Sequence, residues 1–459
     1  MFSKCCDGNY CSLTRSLGFW KLVLFVHFKI IRDDLRRPVH QAGVARGPCW
    51  VAWSSVLALT IVLILTIVVN GAMGLAGATR AMARIGPNAE PCLAVVRLAG
   101  GVRDAGPSLQ ECLDATTANG TVALPAGRYL IATPLRLKQP VTLMTRGISP
   151  TAPPCSANER RCVLLHLAVA PSAVGGAMMP FDIDANNVRL DHLVFQGALR
   201  TDPDISAKRC AVEKDRPIAG GLGVRGDALV INRSVFRDMA CYTAFEYRGG
   251  TLAVFTDNDF VGNGLHEGPL HWADGLTIHH GKRLRISGNR FRDNTDVQLI
   301  LGECIGCTIK DNRFSHSEAA SGGSFADIML QAWPKVTSGD FTDTQVVRNI
   351  IDCGSQRRCG FGIMIGSAPW YDAPAFGGSV TDNQVRGAML ALNVDGLTGP
   401  MVIKDNIFVA SPGMYPSNCG LHRVTKAVNV SPKSRGFVTI MPSTAISYRG
   451  CILNHAIEH

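Results

Sequence analysis

Residues 271–296, HWADGLTIHHGKRLRISGNRFRDNTD, place aspartates and histidines between short apolar alternations. Carboxyl and imidazole side chains are the groups that most often act as general acids and bases in enzymes. A pair of carboxyls can also protonate a glycosidic oxygen and activate the attacking group. The alternative is that these aspartates end strands in turns, where their side chains bond to nearby backbone. The choice depends on which residues the fold brings together.

An asparagine recurs through the second half of the chain in one local pattern. Each copy has an apolar residue, polar residues, the Asn, and an apolar residue two positions after it. The copies are FTDNDF (255–260), ISGNRF (286–291), IKDNRF (309–314), VVRNII (346–351), VTDNQV (380–385) and VIKDNIF (402–408), with earlier copies that lack the Asn ending at Phe195 and Phe236. The Asn residues are spaced 31, 23, 37, 34 and 23 apart. A short minimum period with variable insertions predicts a solenoid of short strands.

An Asn at the same bend of successive coils has a physical use. It tolerates the left-handed backbone of a tight bend, and its amide can hydrogen-bond to the coils above and below, about 4.8 Å away. The aromatic residue that follows can then fill the core. Leucine-rich repeats have a similar length, but their leucine consensus is missing here. The sequence therefore predicts an all-β parallel β-helix.

Alignment on the Asn column gives a register for the strand that precedes each bend. The inward pairs are Leu276/Ile278, Leu299/Leu301, Ile328/Leu330, Ile363/Ile365 and Leu392/Val394. Residues between these pairs face outward. One outward column contains Arg225, Arg248, His279, Gln331 and Asp395, the next Glu246 and Thr277, and a third Gln298 and Asp327. Asp296 precedes its strand, and His280 and Glu303 occupy equivalent positions on adjacent coils.

We therefore predict a site on one face of the central coils. The predicted catalytic residues are Asp274, His279, His280, Asp296, Glu303 and Asp327, and the predicted substrate-binding residues are Arg225, Glu246, Arg248, Gln298, Gln331, Trp272 and Trp333. In a hydrolase, one carboxyl would protonate the glycosidic oxygen while another activates water. In a lyase or epimerase, a His or Arg would remove the C5 proton of a uronic acid. No metal ligand is assigned, although a divalent cation such as calcium would suit such carboxylates.

A purely structural role in turns would also explain several aspartates of this region. Asp293 and Asp311 adjoin ladder asparagines and are assigned to turns. Asp274 has inward parity in the register, so it is also a candidate to cap a turn. The catalytic interpretation therefore depends on the clustering of the residues rather than on any one of them.

The start of the repeat carries a resemblance to a known superfamily. In GPSLQECLDATTANGTVALPAGRYLIATPLRL (106–137), Leu109, Cys112 and Leu113 share one helical face, and a turn and alternating strands follow. Such a helix would cover the open end of a β-helix. The segment resembles the opening of pectin-lyase-like right-handed β-helix proteins, which include pectate lyases and family-28 glycoside hydrolases. The resemblance covers residues 98–420 and implies a fold rather than a reaction.

The catalytic motifs of these enzyme families are not found in this sequence. The adjacent Asp pair and Gly-His-Gly segment of family-28 hydrolases are missing, and the calcium-binding acidic set of pectate lyases is not matched by position. No family catalytic residue is therefore transferred to this chain.

The N-terminal region predicts a membrane anchor. Residues 51–69 contain no charged side chain, a length that crosses a hydrocarbon layer of about 30 Å. Eight Lys and Arg residues precede it against three Asp and Glu, which predicts a cytoplasmic N-terminus and an exported body. A cleaved signal is the alternative, since AMGLAGA offers small residues. The predicted segments are a basic leader (1–48), a transmembrane anchor (49–75), a linker (76–97), the β-helix (98–420) and a C-terminal cap or tail (421–459).

Cysteine usage and charge limit the partners. Twelve of the sixteen cysteines follow the anchor, and Cys155/Cys162 and Cys353/Cys359 have the spacing of loop disulfides in an oxidising compartment. Cys304 and Cys307 are interpreted as a disulfide or stacked thiols in the core. The net charge of +10 lies partly in the leader and forms no basic run with aromatics, which argues against nucleic acid. Residues 18–31 predict an interfacial helix or a contact for a protein partner.

Two functions remain open from the sequence. The first is a membrane-anchored, exported enzyme that acts on a polysaccharide, by hydrolysis, β-elimination or C5 epimerisation. The second is a non-catalytic β-helix that binds glycan or scaffolds an assembly or secretion complex. A groove lined by the predicted acids and histidines, with an aromatic side chain at its rim, would favour the first.

Overall fold

A computed structural model describes most of the chain after residue 88. The described residues are 89–170, 178–202, 208–265, 271–317, 323–355, 358–366, 373–409, 413–415 and 421–441. Within them, no helix is long and apolar enough to cross a bilayer. The predicted leader, anchor and interfacial helix lie outside these residues.

Three parallel sheets, which we call sheets 1, 2 and 3, run side by side along the described body. Sheet 1 consists of β1 (Gly120–Leu124), β4 (Val141–Thr145), β7 (Arg189–Asp191), β10 (Val230–Asn232), β13 (Val254–Thr256), β17 (Arg285–Ser287), β21 (Thr308–Lys310), β24 (Gln345–Val347), β27 (Ser379–Thr381), β30 (Met401–Lys404) and β35 (Val438–Met441). Sheet 2 consists of β2 (Gly127–Ile131), β5 (Val163–Leu167), β8 (Leu193–Gln196), β11 (Val235–Arg237), β14 (Asp259–Val261), β18 (Arg290–Arg292), β22 (Arg313–Ser315), β25 (Ile350–Asp352), β28 (Gln384–Arg386) and β31 (Ile407–Phe408).

Sheet 3 carries the predicted site. It consists of β3 (Leu135–Leu137), β6 (Phe181–Asp184), β9 (Leu222–Arg225), β12 (Tyr242–Thr251), β15 (Ala273–Ile278), β19 (Val297–Leu301), β23 (Ser324–Leu330), β26 (Cys359–Ile365), β29 (Leu390–Val394) and β34 (Val428–Val430), with β16 (Gly281–Lys282) and β20 (Cys304–Ile305) at its border. Each coil contributes one strand to each sheet in turn, so the chain winds as the predicted parallel β-helix. A separate antiparallel hairpin joins β32 (Gly413–Tyr415) and β33 (His422–Val424).

The asparagine ladder is confirmed. Each side-chain Nδ2 donates to the Oδ1 of the next Asn at 2.9–3.0 Å, along Asn258, Asn289, Asn312, Asn349, Asn383 and Asn406. The left-handed backbone, however, belongs to the residue before the Asn. Positive φ occurs at Asp257, Gly288, Asp311, Arg348, Asp382 and Asp405. The Asn is thus kept for its hydrogen bonds, and its neighbour supplies the bend.

Aromatic rings fill the core beside this ladder. Phe195, Phe236, Phe260, Phe291 and Phe314 stack with centroid distances of 4.8–5.1 Å. The predicted inward pairs of sheet 3 are also confirmed, because Leu276, Leu299 and Ile328 align in register and are fully buried. This core fixes the orientation of every outward side chain between the pairs.

Two helices precede the first coil: α1 (Ala89–Val96) and α2 (Gly106–Ala115). The predicted helical face of α2, with Leu109, Cys112 and Leu113, is buried in the same core as the first strands. Helix α1 begins inside the segment predicted to be a linker, and β34 and β35 continue sheets 3 and 1 beyond the predicted boundary at residue 420. Structure therefore extends past both predicted limits of the β-helix.

Five disulfides tie the described body. The predicted pairs Cys155–Cys162, Cys353–Cys359 and Cys304–Cys307 are present. Cys92–Cys112, which joins α1 to α2, and Cys210–Cys241 were not predicted. The C-terminal stretch also predicts a disulfide between Cys419 and Cys451 at the far end of the repeat, and both cysteines lie outside the described residues.

Candidate functional site

The outward side chains of sheet 3 change from polar to apolar along the coils. One column runs through Arg136, Asp182, Gly223, Glu246, Thr277, Ile300, Met329 and Met364. Apart from Gly223, the early members are polar, whereas Ile300, Met329 and Met364 are buried in a second apolar cluster that is separate from the core inside the coils. A polar site on this face is therefore restricted to the earlier coils.

Glu246 is the centre of a hydrogen-bonded group that we call the Glu246 cluster: Asp182, Tyr242, Glu246, Arg248 and His279. The carboxylate accepts hydrogen bonds from Tyr242 Oη at 2.7 Å, Arg248 Nε at 2.8 Å and His279 Nε2 at 3.1 Å. Arg248 also donates from Nη1 to Asp182 Oδ1 at 2.9 Å. The guanidinium is thus held between two carboxylates, so it positions the cluster rather than serving as a free cation for substrate.

These contacts keep Glu246 ionised. Burial alone would raise the pKa of its carboxyl, but hydrogen bonds from His279 and Tyr242 and the charge of Arg248 outweigh burial and lower the pKa to about 2. The pKa of Tyr242 is raised by burial and by the adjacent Glu246 charge, so the phenol stays protonated. Tyr242 also has φ +74°, an unusual backbone for an aromatic residue. Such strain is typical of functional positions.

His279 has an aromatic neighbour two coils further along sheet 3. Its ring stacks on Trp333 with centroids 4.7 Å apart and planes inclined by 28°. Trp333 lies against Gly302, where an added Cβ would come within 2.3 Å of the indole. The absent side chain of Gly302 is therefore what admits the indole beside the imidazole. His279 keeps 22% of its side chain exposed.

A groove adjoins the Glu246 cluster on the side of the first coils, and we call it the sheet 3 groove. It comprises cavities of 760 Å³ and 240 Å³ that share Lys138, Asp184, Arg225 and Arg248. Arg136 and His280 complete its charged lining, together with Asp182 and Asp227. Arg136, Lys138 and Arg225 are exposed. Cations and carboxylates alternate here, a mixture suited to a ligand that bears both carboxylate and hydroxyl groups.

Asp274 and Asp296 form a second acidic group at the start of their strands. Asp274 Oδ1 accepts the backbone N–H of Val297 at 3.1 Å, and Oδ2 accepts the Thr277 hydroxyl at 2.8 Å. Burial and the charge of Asp296 raise the pKa of Asp274 well above its usual range. Burial also raises the pKa of Asp296 to about 6, against the opposing charge of Arg216. The pair therefore retains protons at a pH where ordinary aspartates have none.

Asp296→Asn should stabilise the protein at neutral pH. The folded pKa of Asp296 lies above its unfolded value, so the wild type loses stability as pH rises from about 4 through 6. An amide avoids that ionisation, and we expect a gain of about 1–3 kcal/mol at pH 7, below the full value for this shift because Asp296 is only partly buried. Urea unfolding at pH 4 and pH 7 measures it. A loss of stability of equal size at both pH values would contradict the prediction.

His280 and Glu303 pair as the register predicts. His280 Nδ1 lies 3.5 Å from Glu303 Oε2, which also accepts the backbone N–H of Ser338 at 3.1 Å and its hydroxyl at 2.7 Å. Burial would raise the pKa of Glu303, but the hydrogen bonds from Ser338 and the adjacent His280 lower it. His280 lines the sheet 3 groove, whereas Glu303 is tied to a turn.

Asp327 and Gln298 lie inside the coil, contrary to the predicted outward position. Both are fully buried. Asp327 Oδ1 contacts His316 Nε2 at 2.9 Å and accepts the Ser324 hydroxyl at 2.8 Å. Gln298 Oε1 accepts from Asn294 Nδ2, which extends a short second ladder. The parity that holds for the inward leucines fails at the beginning of these strands, so neither residue can meet a substrate in the sheet 3 groove.

The remaining predicted binding residues are dispersed. Gln331 is buried. Trp272 lies beside Asp274 rather than at the groove, and its backbone oxygen accepts a long hydrogen bond from Arg216 at 3.4 Å. The structure thus brings together Glu246, Arg248, His279 and Trp333, places Arg225 and His280 in the adjoining groove, and keeps Asp274 with Asp296.

Several residues of the site could not be predicted from the Asn repeat. Asp182, Arg136 and Lys138 belong to coils that precede the Asn column, so the alignment does not reach them. Tyr242 begins a strand whose pairing to β9 shifts register between Tyr247 and Gly249. That irregularity explains why Arg225 aligns with Gly249 and not with the predicted partner Arg248.

Side chains with metal-ligand geometry lie away from the sheet 3 groove in the described part of the chain. Within the described ranges, the one group of three side chains with metal-ligand geometry is His316, Asp327 and Cys359. Nitrogen and sulfur donors suit zinc-like metals rather than calcium, which takes oxygen ligands.

Comparison with known proteins identifies the fold. Residues 204–420 match the family model described as the right handed beta helix region. No curated protein matches the chain by sequence. Similar solved structures include the mannuronan C-5 epimerase AlgE4 A-module of Azotobacter vinelandii (15% identity, 73% of this chain and 86% of that chain, TM-score 0.37). Another similar structure is the surface adhesin PfbA of Streptococcus pneumoniae (11% identity, 72% of this chain and 97% of that chain, TM-score 0.43). A third is an endo-xylogalacturonan hydrolase of Aspergillus tubingensis (13% identity, 76% of this chain and 96% of that chain, TM-score 0.40).

These structural likenesses are too distant to indicate a reaction or a ligand. The family match and the observed winding of three parallel sheets agree on the architecture. The described body of this chain is a right-handed parallel β-helix.

Proposed function

We propose that the chain is an enzyme that acts on an acidic polysaccharide, with His279 as the base that removes the C5 proton of a uronate. The observation that carries this proposal is the hydrogen bond from His279 Nε2 to the ionised Glu246, beside a groove that contains exposed cations. An imidazole oriented by a carboxylate is a common form of general base.

The hydrogen bond determines which nitrogen reacts. An ionised Glu246 only accepts, so in the neutral tautomer Nε2 of His279 carries the proton and Nδ1 keeps a lone pair. Trp333 packs on one face of the ring and limits its rotation. The ring is therefore held with Nε2 toward Glu246, which leaves Nδ1 as the nitrogen that can accept a proton.

The proposed reaction begins with transfer of the C5 proton to Nδ1 of His279. The C–H electron pair moves onto the uronate carboxylate, where a groove cation such as Arg225 stabilises the added charge. In β-elimination, that pair then forms the C4–C5 double bond while the C4–O bond breaks, the leaving oxygen takes a proton from water, and His279 returns its proton to solvent. In epimerisation, a proton from water adds to C5 from the opposite face, His279 returns its proton to solvent, and no bond in the chain breaks.

The full-length protein should be incubated with polyuronates and with neutral glycans. Absorbance of unsaturated uronates reports elimination, and proton exchange at C5 followed by nuclear magnetic resonance reports epimerisation. Either product from polyuronates, with none from neutral glycans, is the expected result. The absence of both reactions across the panel would refute the proposal.

A hydrolase is the second candidate, because Asp296 has the raised pKa expected of a general acid and Asp274 lies on the adjacent coil. Hydrolysis would create new reducing ends without unsaturation. It would also be lost in Asp274→Asn and Asp296→Asn while surviving in His279→Gln. The same product assays therefore separate the two carboxyls from the imidazole.

Arg225→Gln should weaken binding of a polyuronate about 5-fold, the loss expected from one partly solvated charge pair. Arg225 is exposed in the sheet 3 groove, where it can meet a carboxylate. Arg285→Gln, at an exposed position on sheet 1, is the matched control and should leave affinity unchanged. Titration calorimetry at low and high salt measures both variants. Equal weakening in both would place binding outside the groove.

A glycan-binding protein without catalysis is the remaining alternative, and it would show the Arg225 effect but no product. We also propose that the body is exported and anchored by residues 49–75, with the leader available to a protein partner. Five disulfides in the described body support an oxidising compartment.

A further inference from the structure

A buried group behind sheet 3 contains four side chains with metal-binding chemistry. His316, Asp327, Cys353 and Cys359 come from adjacent coils around β22, β23, β25 and β26. One ligand atom each from His316, Asp327 and Cys359 lies within 4.8 Å of the others. Cys353 Sγ lies 3.7 Å from Asp327 Oδ2. Two thiolates, an imidazole and a carboxylate are a donor set that suits tetrahedral zinc.

The surroundings of His316 also resemble a ligand site. Its side chain is 1% exposed, and Nδ1 has no hydrogen-bond partner among the residues that the structure describes. The nearest carboxylate to Nδ1 is Asp293 Oδ1, 4.0 Å away, while Nε2 faces Asp327. A metal-bound histidine typically presents one nitrogen to the metal and the other to a carboxylate. A small rotation of His316 would give Nδ1 that partner.

In the present structure the two cysteines form a disulfide, so the sulfur atoms bond to each other. We propose that reduction of Cys353–Cys359 converts this group into a four-ligand zinc site made of His316, Asp327, Cys353 and Cys359. The site is separate from the Glu246 cluster and from the proposed reaction. It would make the core beneath the later coils responsive to the redox state of the compartment.

The chemistry balances with a phosphine or dithiol as reductant. Two electrons from the reductant break the S–S bond, and two protons from water complete the thiols. Zn²⁺ then displaces both thiol protons as it binds the thiolates, Nε2 of His316 and an oxygen of Asp327. The hydrogen bond from Ser324 to Asp327 remains available as outer support.

The test uses the full chain, reduced with a phosphine and freed of reductant under anaerobic conditions. Co²⁺ replaces Zn²⁺ as a spectroscopic probe, because thiolate-to-cobalt charge transfer reports sulfur ligands. We expect such a band in the reduced protein and none in the oxidised protein. Cys304→Ser/Cys307→Ser should keep the band, whereas Cys353→Ser/Cys359→Ser should lose it. Asp293→Asn should weaken Co²⁺ binding about 10–100-fold.

A second readout starts from the wild type, where no variant has to fold. In the reduced wild type, Zn²⁺ should protect Cys353 and Cys359 from alkylation, as mapped by mass spectrometry, while Cys304 and Cys307 react. His316→Gln should abolish that protection. The proposal is overturned if Zn²⁺ protects neither cysteine, or if protection is the same in His316→Gln and the wild type.

Discussion

His279→Gln should lower the turnover of a polyuronate by about 10²–10⁴-fold, the contribution expected of a positioned general base. Glutamine retains a hydrogen-bond donor for Glu246 but has no basic nitrogen. Binding should change little, because the exposed cations that line the sheet 3 groove remain. The measurement is kcat and KM for release of unsaturated uronate or for C5 exchange. A fall in kcat at nearly constant KM is the expected outcome.

Two companion variants make this result specific. Glu246→Gln should also reduce kcat, because a neutral amide no longer selects the Nε2–H form of His279. His280→Gln is the neighbouring histidine, and its ring pairs with Glu303 instead of the Glu246 cluster. It should have a much smaller effect on kcat. A greater loss in His280→Gln than in His279→Gln would assign the base to the wrong imidazole.

Asn312→Ala should lower the free energy of unfolding by about 3–5 kcal/mol. Asn312 Oδ1 accepts from both the backbone N–H and the Nδ2 of Asn289, and its own Nδ2 donates to Ile286 O and Asn349 Oδ1. Removal of the amide leaves several buried polar atoms without partners, and each costs about 1–3 kcal/mol. Partial relaxation limits the sum. Equilibrium denaturation by urea measures the loss.

Asn406→Ala is the matched control for the ladder. Asn406 is the last asparagine of the ladder in the described chain, is only partly buried, and accepts from Asn383 without a following Asn. We expect a loss of about 1 kcal/mol, because water can replace part of its bonding. Similar losses in the two variants would show that the position within the ladder does not determine its contribution.

The sequence predicts the fold well because the same short pattern of residues forms the same contacts in each coil. Each Asn and the ring that follows it face the same environment in every coil, so one alignment predicts the hydrogen bonds from Asn258 to Asn406 and the stacked rings. The inward pairs follow from the period of two in strands. Local periodicity was therefore sufficient for the architecture.

The site is less predictable because its contacts join coils with different irregularities. The register shift after Tyr247 pairs Arg225 with Gly249 instead of Arg248. The Arg248 guanidinium donates a hydrogen bond to Asp182, which lies on an earlier coil. Asp327 and Gln298 turn inward at the start of their strands and bond to His316 and Asn294. The alternation of inward and outward residues along a strand does not reveal a register shift or an inward turn. It therefore predicts that the face is charged but not which side chains on it contact each other.

The change from polar to apolar side chains along sheet 3 sets a limit on the length of the ligand. From Arg136 on β3 to His280 beside β15 there are four steps between coils, about 20 Å at the spacing of hydrogen-bonded strands. Beyond Thr277 the same column continues as Ile300 and Met329, which offer a sugar no charge or hydrogen bond. Oligosaccharides that already reach across those four steps should therefore gain no affinity from further units, so a titration series of increasing length should level off there.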